Sequence, residues 1–166
     1  SLITGAGRYD SLSQDDFNKI PGSPLAYWIR RSALNLFVKK RIFDVSVSDG
    51  QNITADNDKF IRYWWEIDSF GLGKDKKWLT YCKGGEFRKW YGNTDSVVDW
   101  SDSARLHYRT SSRCRIIPEY LWYKEGITWS RVASNDSPNG FRLLPENTTF
   151  DKVGSSIFIE NKFDLT

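Results

Sequence analysis

Lys124-Glu125-Gly126-Ile127-Thr128-Trp129-Ser130 runs from a charged turn through a glycine into β-branched and aromatic residues. Such side chains favour a pleated, half-buried surface, and a glycine beside charged residues marks the turn that precedes it. A strand is therefore expected over Ile127–Ala133. The same texture recurs outward along the chain. Phe43–Val47, Phe60–Ile67, Trp78–Cys82, Val97–Asp99, Tyr120–Lys124, Phe141–Leu144 and Ser156–Ile159 are short β-rich runs separated by Gly, Asn and Asp. A polar helical stretch around Ser103–Thr110 interrupts them.

Before Phe43 the pattern differs. Ser13–Ile20 reads as a short helix with Ser13 as N-cap and Asp15 and Asp16 in its first turn. Pro21-Gly22-Ser23-Pro24 breaks the chain, after which Leu25, Trp28, Ile29, Leu34 and Phe37 are spaced for one apolar helical face through about Lys40. The fold class expected is α+β and mostly β: a mixed or antiparallel sheet of short strands with a helical N-terminal segment. Residues 1–22 read as a linker or approach segment and 23–166 as the functional domain.

The chain has 166 residues, enough for one domain with a real core. No apolar run reaches the roughly 18–20 residues of a membrane span, and no charged-then-apolar stretch within these residues suggests a signal peptide. Methionine is absent, even at position 1, so a segment of a longer cytoplasmic protein is expected. Cys82 and Cys114 are too few and too far apart for a metal site or a disulfide framework, and read as buried free thiols. The sequons at Asn52, Asn135 and Asn147 are what chance gives in an Asn-rich chain.

Lys plus Arg number 24 against 21 Asp plus Glu, a net charge of +3. That excess alone does not indicate nucleic acid, but the cations are clustered in Arg30–Arg41, Lys74–Lys89 and Arg105–Arg115. Lys83-Gly84-Gly85 beside Arg88-Lys89-Trp90 interleaves cations, glycines and an indole. Paired glycines let backbone approach a ligand, cations neutralise phosphate, and an indole stacks on a base. The competing reading is a tight turn with Trp90 in the core. Asn57, Lys59 and Arg62 precede and enter a strand; Asn suits adenine and Arg guanine, whereas the plainer reading has Asn57 closing an Asx turn. Lys124, Thr128 and Ser130 are residue types that clamp phosphate, or else parts of a core strand. His107 is the lone histidine and reads as a surface or cap residue. No catalytic or metal-ligating set stands out.

Four stretches in order are more specific than composition. They are Phe17–Trp28, Thr54–Glu66, Lys83–Asn93, and Tyr123–Ser130 followed by Phe150–Phe158. Together they resemble the region downstream of the catalytic domain in PglX, the adenine-specific methyltransferase family of BREX phage-defence systems, and more distantly TaqI-like specificity domains. The resemblance spans Phe17 to Ile159. It implies a DNA target-recognition module, with duplex DNA, the upstream methyltransferase domain and other defence-system proteins as partners. The family carries Gly after the Thr aligned with Thr54; here Ala55 stands, whose Cβ limits how closely that turn approaches a phosphate. S-adenosylmethionine would belong to the parent enzyme and not to this chain, which lacks any Pro-Pro motif and carries only the isolated triplets Gly5-Ala6-Gly7 and Gly71-Leu72-Gly73. A carbohydrate-binding or protein-interaction β-domain is the alternative, drawn from the aromatic content.

Overall fold

The computed structural model describes residues 13–26, 28–130 and 140–159. They fall into two compact units, one up to Val45 and one from Ser46 onward.

In the first unit, α1 is Gln14–Phe17, with Ser13 at its N-cap and Asp15 and Asp16 in the first turn as expected. The Asp16 carboxylate accepts the Ser13 N–H at 3.1 Å. Phe17, Ile20, Ala26 and Leu34 form a small core with Ile29 against it. The long second helix does not form. Among the described residues of this stretch only α2, Arg31–Leu34, is α-helical, and the chain beyond it closes three-residue turns, Leu36 N–H to Ala33 O and Phe37 N–H to Leu34 O, both at 3.1 Å. Leu25, Trp28 and Phe37 are exposed, so the spaced residues share no buried face to hold a longer helix together.

The second unit carries all eight described strands: β1 Ser46–Val47, β2 Ile61–Tyr63, β3 Trp78–Cys82, β4 Ser96–Asp99, β5 Gly126–Ser130, β6 Phe141–Leu144, β7 Thr148–Phe150 and β8 Gly154–Ile159. They make two four-stranded sheets, ordered β1-β8-β5-β6 and β2-β4-β3-β7. All pairings are antiparallel except β3 with β7. The α+β, mostly β class thus holds. Helix α3, Asn57–Phe60, leads directly into β2, and α4, Asp102–Thr110, follows β4. Phe60, Leu79, Tyr81, Val98, Trp100 and Tyr108 pack together beside one sheet. Cys82, Ile117, Leu121, Leu144, Phe150 and Phe158 form a second core cluster to which both sheets contribute, Cys82 and Phe150 from β3 and β7 and Leu144 and Phe158 from β6 and β8. Both cysteines are free and buried. Asn52 is buried too, its amide donating to Thr149 Oγ1 at 2.7 Å and Phe150 O at 2.8 Å while its oxygen takes the Ile117 N–H at 3.0 Å.

Two expected strands give way to turns, one wholly and one in part. Tyr120–Lys124 opens on a 3-10 turn, Glu119–Leu121, and Tyr123 then takes a left-handed φ of +64° that no strand can pass through. Phe60–Ile67 divides into the end of α3, the three residues of β2 and a 3-10 turn, Trp64–Glu66. The Glu66 carboxylate accepts the Tyr63 N–H at 2.7 Å and folds the chain back. Among the described residues, no helix is long and apolar enough to cross a membrane.

Candidate nucleic-acid interface

One end of the β2-β4-β3-β7 sheet gathers most of the residues singled out in the sequence. Tyr63, at the end of β2, pairs with Ser96 at the start of β4, and Ser96 pairs in turn with Tyr81 near the end of β3. The 3-10 turn Trp64–Glu66 and the loop Lys83–Asn93 therefore leave the sheet side by side. Between them lies an open cleft of about 330 Å³ lined by Asn57, Asp58, Ile61, Arg62, Tyr63, Glu66, Lys83 and Ser96.

Asn57 is placed by the turn before it. Ala55 takes a left-handed φ of +58°, a conformation that glycine adopts without steric cost. Thr54 Oγ1 then donates to Asn57 Oδ1 at 2.7 Å, and the Asp56 side chain caps α3 by accepting the Lys59 N–H at 3.0 Å. Asn57 is thus held by its carbonyl oxygen, leaving the amide N–H groups for a ligand. Arg62 spends one guanidinium nitrogen on the carbonyls of Asp58 and Ile61, both at 2.6 Å. Lys59 stands on the same helix outside the cleft, its ammonium 5.0 Å from the Phe60 ring centre.

The Lys83–Asn93 loop is tied at both ends. Lys83 N–H donates to Asn93 O at 3.0 Å. Further round, Trp90 bridges the free edge of β6, its N–H donating to Phe141 O at 3.1 Å and its carbonyl accepting from Leu143 N–H at 2.9 Å. Between these ties Arg88 and Lys89 are exposed. Trp90 is 66% exposed at a φ of +74°, so it is not core. A bulky residue in that conformation is strained, and such strain collects at functional sites. Gly84 serves the protein's own packing. A Cβ on Gly84 would lie 2.4 Å from Val153 Cγ1, and the Gly85 carbonyl accepts the Ser130 hydroxyl at 3.3 Å.

The remaining residues are elsewhere. Lys124 is exposed beside the Tyr120 ring. Thr128 is fully buried, its hydroxyl donating to Ser155 O at 2.9 Å, and Ser130 is buried as well. A phosphate reaches neither without opening the sheet. The period-2 pattern of β5 turns its hydroxyls inward, where Thr128 pairs with Arg142 on one side and Ser156 on the other. Arg142, which sequence reasoning missed, is 1% exposed and donates one bond to Ser130 Oγ at 3.3 Å. His107 is exposed near the end of α4, stacked on Phe60, as a surface histidine.

Also missed were the aromatic rings of the Trp64–Glu66 turn. Tyr63, Trp64 and Trp65 are each at least half exposed. Tyr63 and Trp65 stack with centroids 4.5 Å apart and planes within 3°, and Trp64 stands edge-on to Trp65. Their signal was the run itself: three consecutive large aromatics cannot all face the core of one strand.

Gly71-Leu72-Gly73 ends a 3-10 turn and precedes β3, rather than joining a strand to a helix as a nucleotide loop does. Gly5-Ala6-Gly7 lies outside the described residues.

No family model matches the chain. Two curated relatives do. The adenine-specific methyltransferase BrxX of Escherichia coli O9:H4 (strain HS) is 34% identical over 173 residues, covering 100% of this chain and 14% of that protein. The adenine-specific methyltransferase PglX of Lacticaseibacillus casei (strain Zhang) is 32% identical over 169 residues, 92% of this chain and again 14% of the relative. The chain is therefore homologous, over nearly all its length, to one small segment of the BrxX and PglX adenine-specific methyltransferases of BREX systems.

Proposed function

We propose that this chain is the DNA target-recognition module of an adenine-specific methyltransferase in a BREX-type phage-defence system. It binds duplex DNA and positions an adenine for a methyltransferase domain elsewhere in the parent protein. That domain would hold S-adenosylmethionine, and the whole would work in the bacterial cytoplasm beside other defence proteins. One observation carries the reading: a single sheet end presents Asn57, Arg62 and Lys83 in a cleft beside an exposed, edge-anchored loop bearing Arg88, Lys89 and Trp90. Cations on a fixed loop suit the phosphate backbone, and side-chain amides and guanidinium groups suit base edges.

The test is duplex binding by fluorescence anisotropy across a salt series. Log affinity should fall with log salt at about −0.9 per phosphate contacted. Arg88→Ala/Lys89→Ala should shallow that slope by roughly two contacts and slow methylation by the parent enzyme. Salt-indifferent binding, or a double variant that binds and supports methylation like the native protein, overturns the reading.

A further inference from the structure

The Tyr63–Trp65 stack has no part in either core, yet its geometry is defined. The 3-10 turn places residue 65 over residue 63, held by the Tyr63 N–H on the Glu66 carboxylate and the Trp64 N–H on Asp95 O at 3.0 Å. Two parallel rings already at stacking separation form a platform that a third planar ring extends. The platform adjoins the cleft directly, since Tyr63 belongs to both and Glu66, which holds its turn, also lines the cleft.

The chemistry of that cleft selects among planar ligands. Arg62, Lys83 and Asn57 offer donors, while Asp58 and Glu66 supply carboxylates. A phosphate would meet those two carboxylates at close range. A neutral ligand carrying both acceptors and N–H donors on its edge suits the mixture, because guanidinium, amide and carboxylate groups all pair with base edges. The volume, about 330 Å³, is at the lower end for small-ligand sites and fits one ring system rather than a stretch of duplex.

We infer that Tyr63 and Trp65, with Asn57, Arg62 and Lys83 beside them, form a receptor for one unpaired nucleobase. The inference rests on the DNA reading and goes beyond it. This segment holds a base displaced from the stack, as well as contacting the intact duplex. Phosphate contact then belongs to Arg88 and Lys89, and base capture to the cleft.

The experiment uses the complete chain and two duplexes, one fully paired and one carrying a single 2-aminopurine opposite an abasic site. The unpaired-base duplex should bind roughly 5- to 100-fold tighter, the range of one base–aromatic stack, with its 2-aminopurine emission quenched. Tyr63→Ala/Trp65→Ala should lose that preference while keeping paired-duplex affinity and its salt slope. Tyr63→Phe/Trp65→Phe should retain the preference, since ring stacking survives. Melting curves of both variants establish that they fold. Equal native binding of the two duplexes overturns this inference and leaves the DNA reading standing. Failure to bind either duplex overturns both. A preference that persists in the alanine variant, or saturable binding of a cello-oligosaccharide at the same rings, also overturns the receptor.

Discussion

Gly84→Ala separates two meanings of the Lys83-Gly84-Gly85 motif. If the glycine exists to let backbone approach DNA, an added methyl weakens binding and leaves the fold alone. The structure points the other way. The new Cβ would lie 2.4 Å from Val153 Cγ1, 2.9 Å from Val153 Cβ and 3.1 Å from Val153 O, against an ordinary carbon contact of about 3.5–4.0 Å. A rotamer change moves Cγ1 but not Cβ or the carbonyl. Nor does the turn yield easily: Asp151 Oδ1 accepts Val153 N–H at 2.7 Å and Gly154 N–H at 3.0 Å. The clash belongs in the upper part of the roughly 1–3 kcal/mol range for overpacking, and at about 2–4 °C per kcal/mol the melting temperature should fall by roughly 4–10 °C. Removing the nearest atom with Gly84→Ala/Val153→Ala should recover part of that loss, giving a coupling of about 1 kcal/mol in a double-mutant cycle. Thermal melts of the four proteins, with duplex binding measured below the transition, decide it. A Gly84→Ala variant that melts like the native chain but binds DNA poorly refutes the packing argument.

Ala55→Gly should stabilise the chain by up to about 1 kcal/mol. A left-handed alanine costs about 1–2 kcal/mol and glycine nothing, partly offset by the freer unfolded chain; a lower melting temperature would contradict the φ of +58°. Thr128→Val should cost about 1–2 kcal/mol by orphaning the Ser155 carbonyl, with no change in the salt dependence of DNA binding; a shallower salt slope would restore Thr128 as a phosphate contact. Burial pushes up the Cys82 thiol and the Tyr81 and Tyr108 hydroxyls from ordinary values of 9.0, 10.0 and 10.0. Above those values the unfolded chain releases protons that the folded chain keeps. The stability is therefore intact below about pH 9 and declines as pH rises. Tyr108→Phe, which also gives up the 2.9 Å bond to Asp99 O, should be less stable at pH 7 by about 1 kcal/mol yet decline less above pH 10; parallel pH profiles would refute it.

The strands legible in the sequence were those whose local pattern and tertiary role agree. Phe141–Leu144 and Trp78–Cys82 match to the residue, and α4 begins one residue before its expected start, capped by Ser101. What failed depends on contacts that local pattern does not encode. Tyr120–Lys124 has strand composition, but Leu121 and the Trp122 indole are drawn inward, the latter onto Ile117 O at 3.0 Å. Strand β7 was invisible because three fully buried residues carry no alternation, and their partner β3 lies far away in sequence and parallel. The candidate apolar helix after Pro24 had the right spacing and no core large enough to receive it.

The site divides along the same physical line. Asn57 and Arg62, on the continuous α3–β2 segment, converge with the distant Lys83 at the end of β3 because β4 joins β2 to β3 at one register, Tyr63–Ser96–Tyr81. Sequence could nominate each residue by type but could not bring them together. Thr128 and Ser130 were nominated by the same logic and fail for a complementary reason. Residue type says what a side chain can bind, whereas strand phase says which side of the sheet it faces, and in β5 the phase is set by Arg142 and Ser156 across the sheet. A strand with polar residues on its buried face and Ile127 and Trp129 on the other inverts the usual expectation. Only the cross-strand partners reveal that inversion. Under the proposed DNA reading, the residues best placed for contact are those at turns and element ends, where no pleat dictates direction: Asn57 at the start of α3 after the Ala55 turn, Tyr63 to Trp65 at a 3-10 turn, and Arg88 to Trp90 on a strap across the β6 edge.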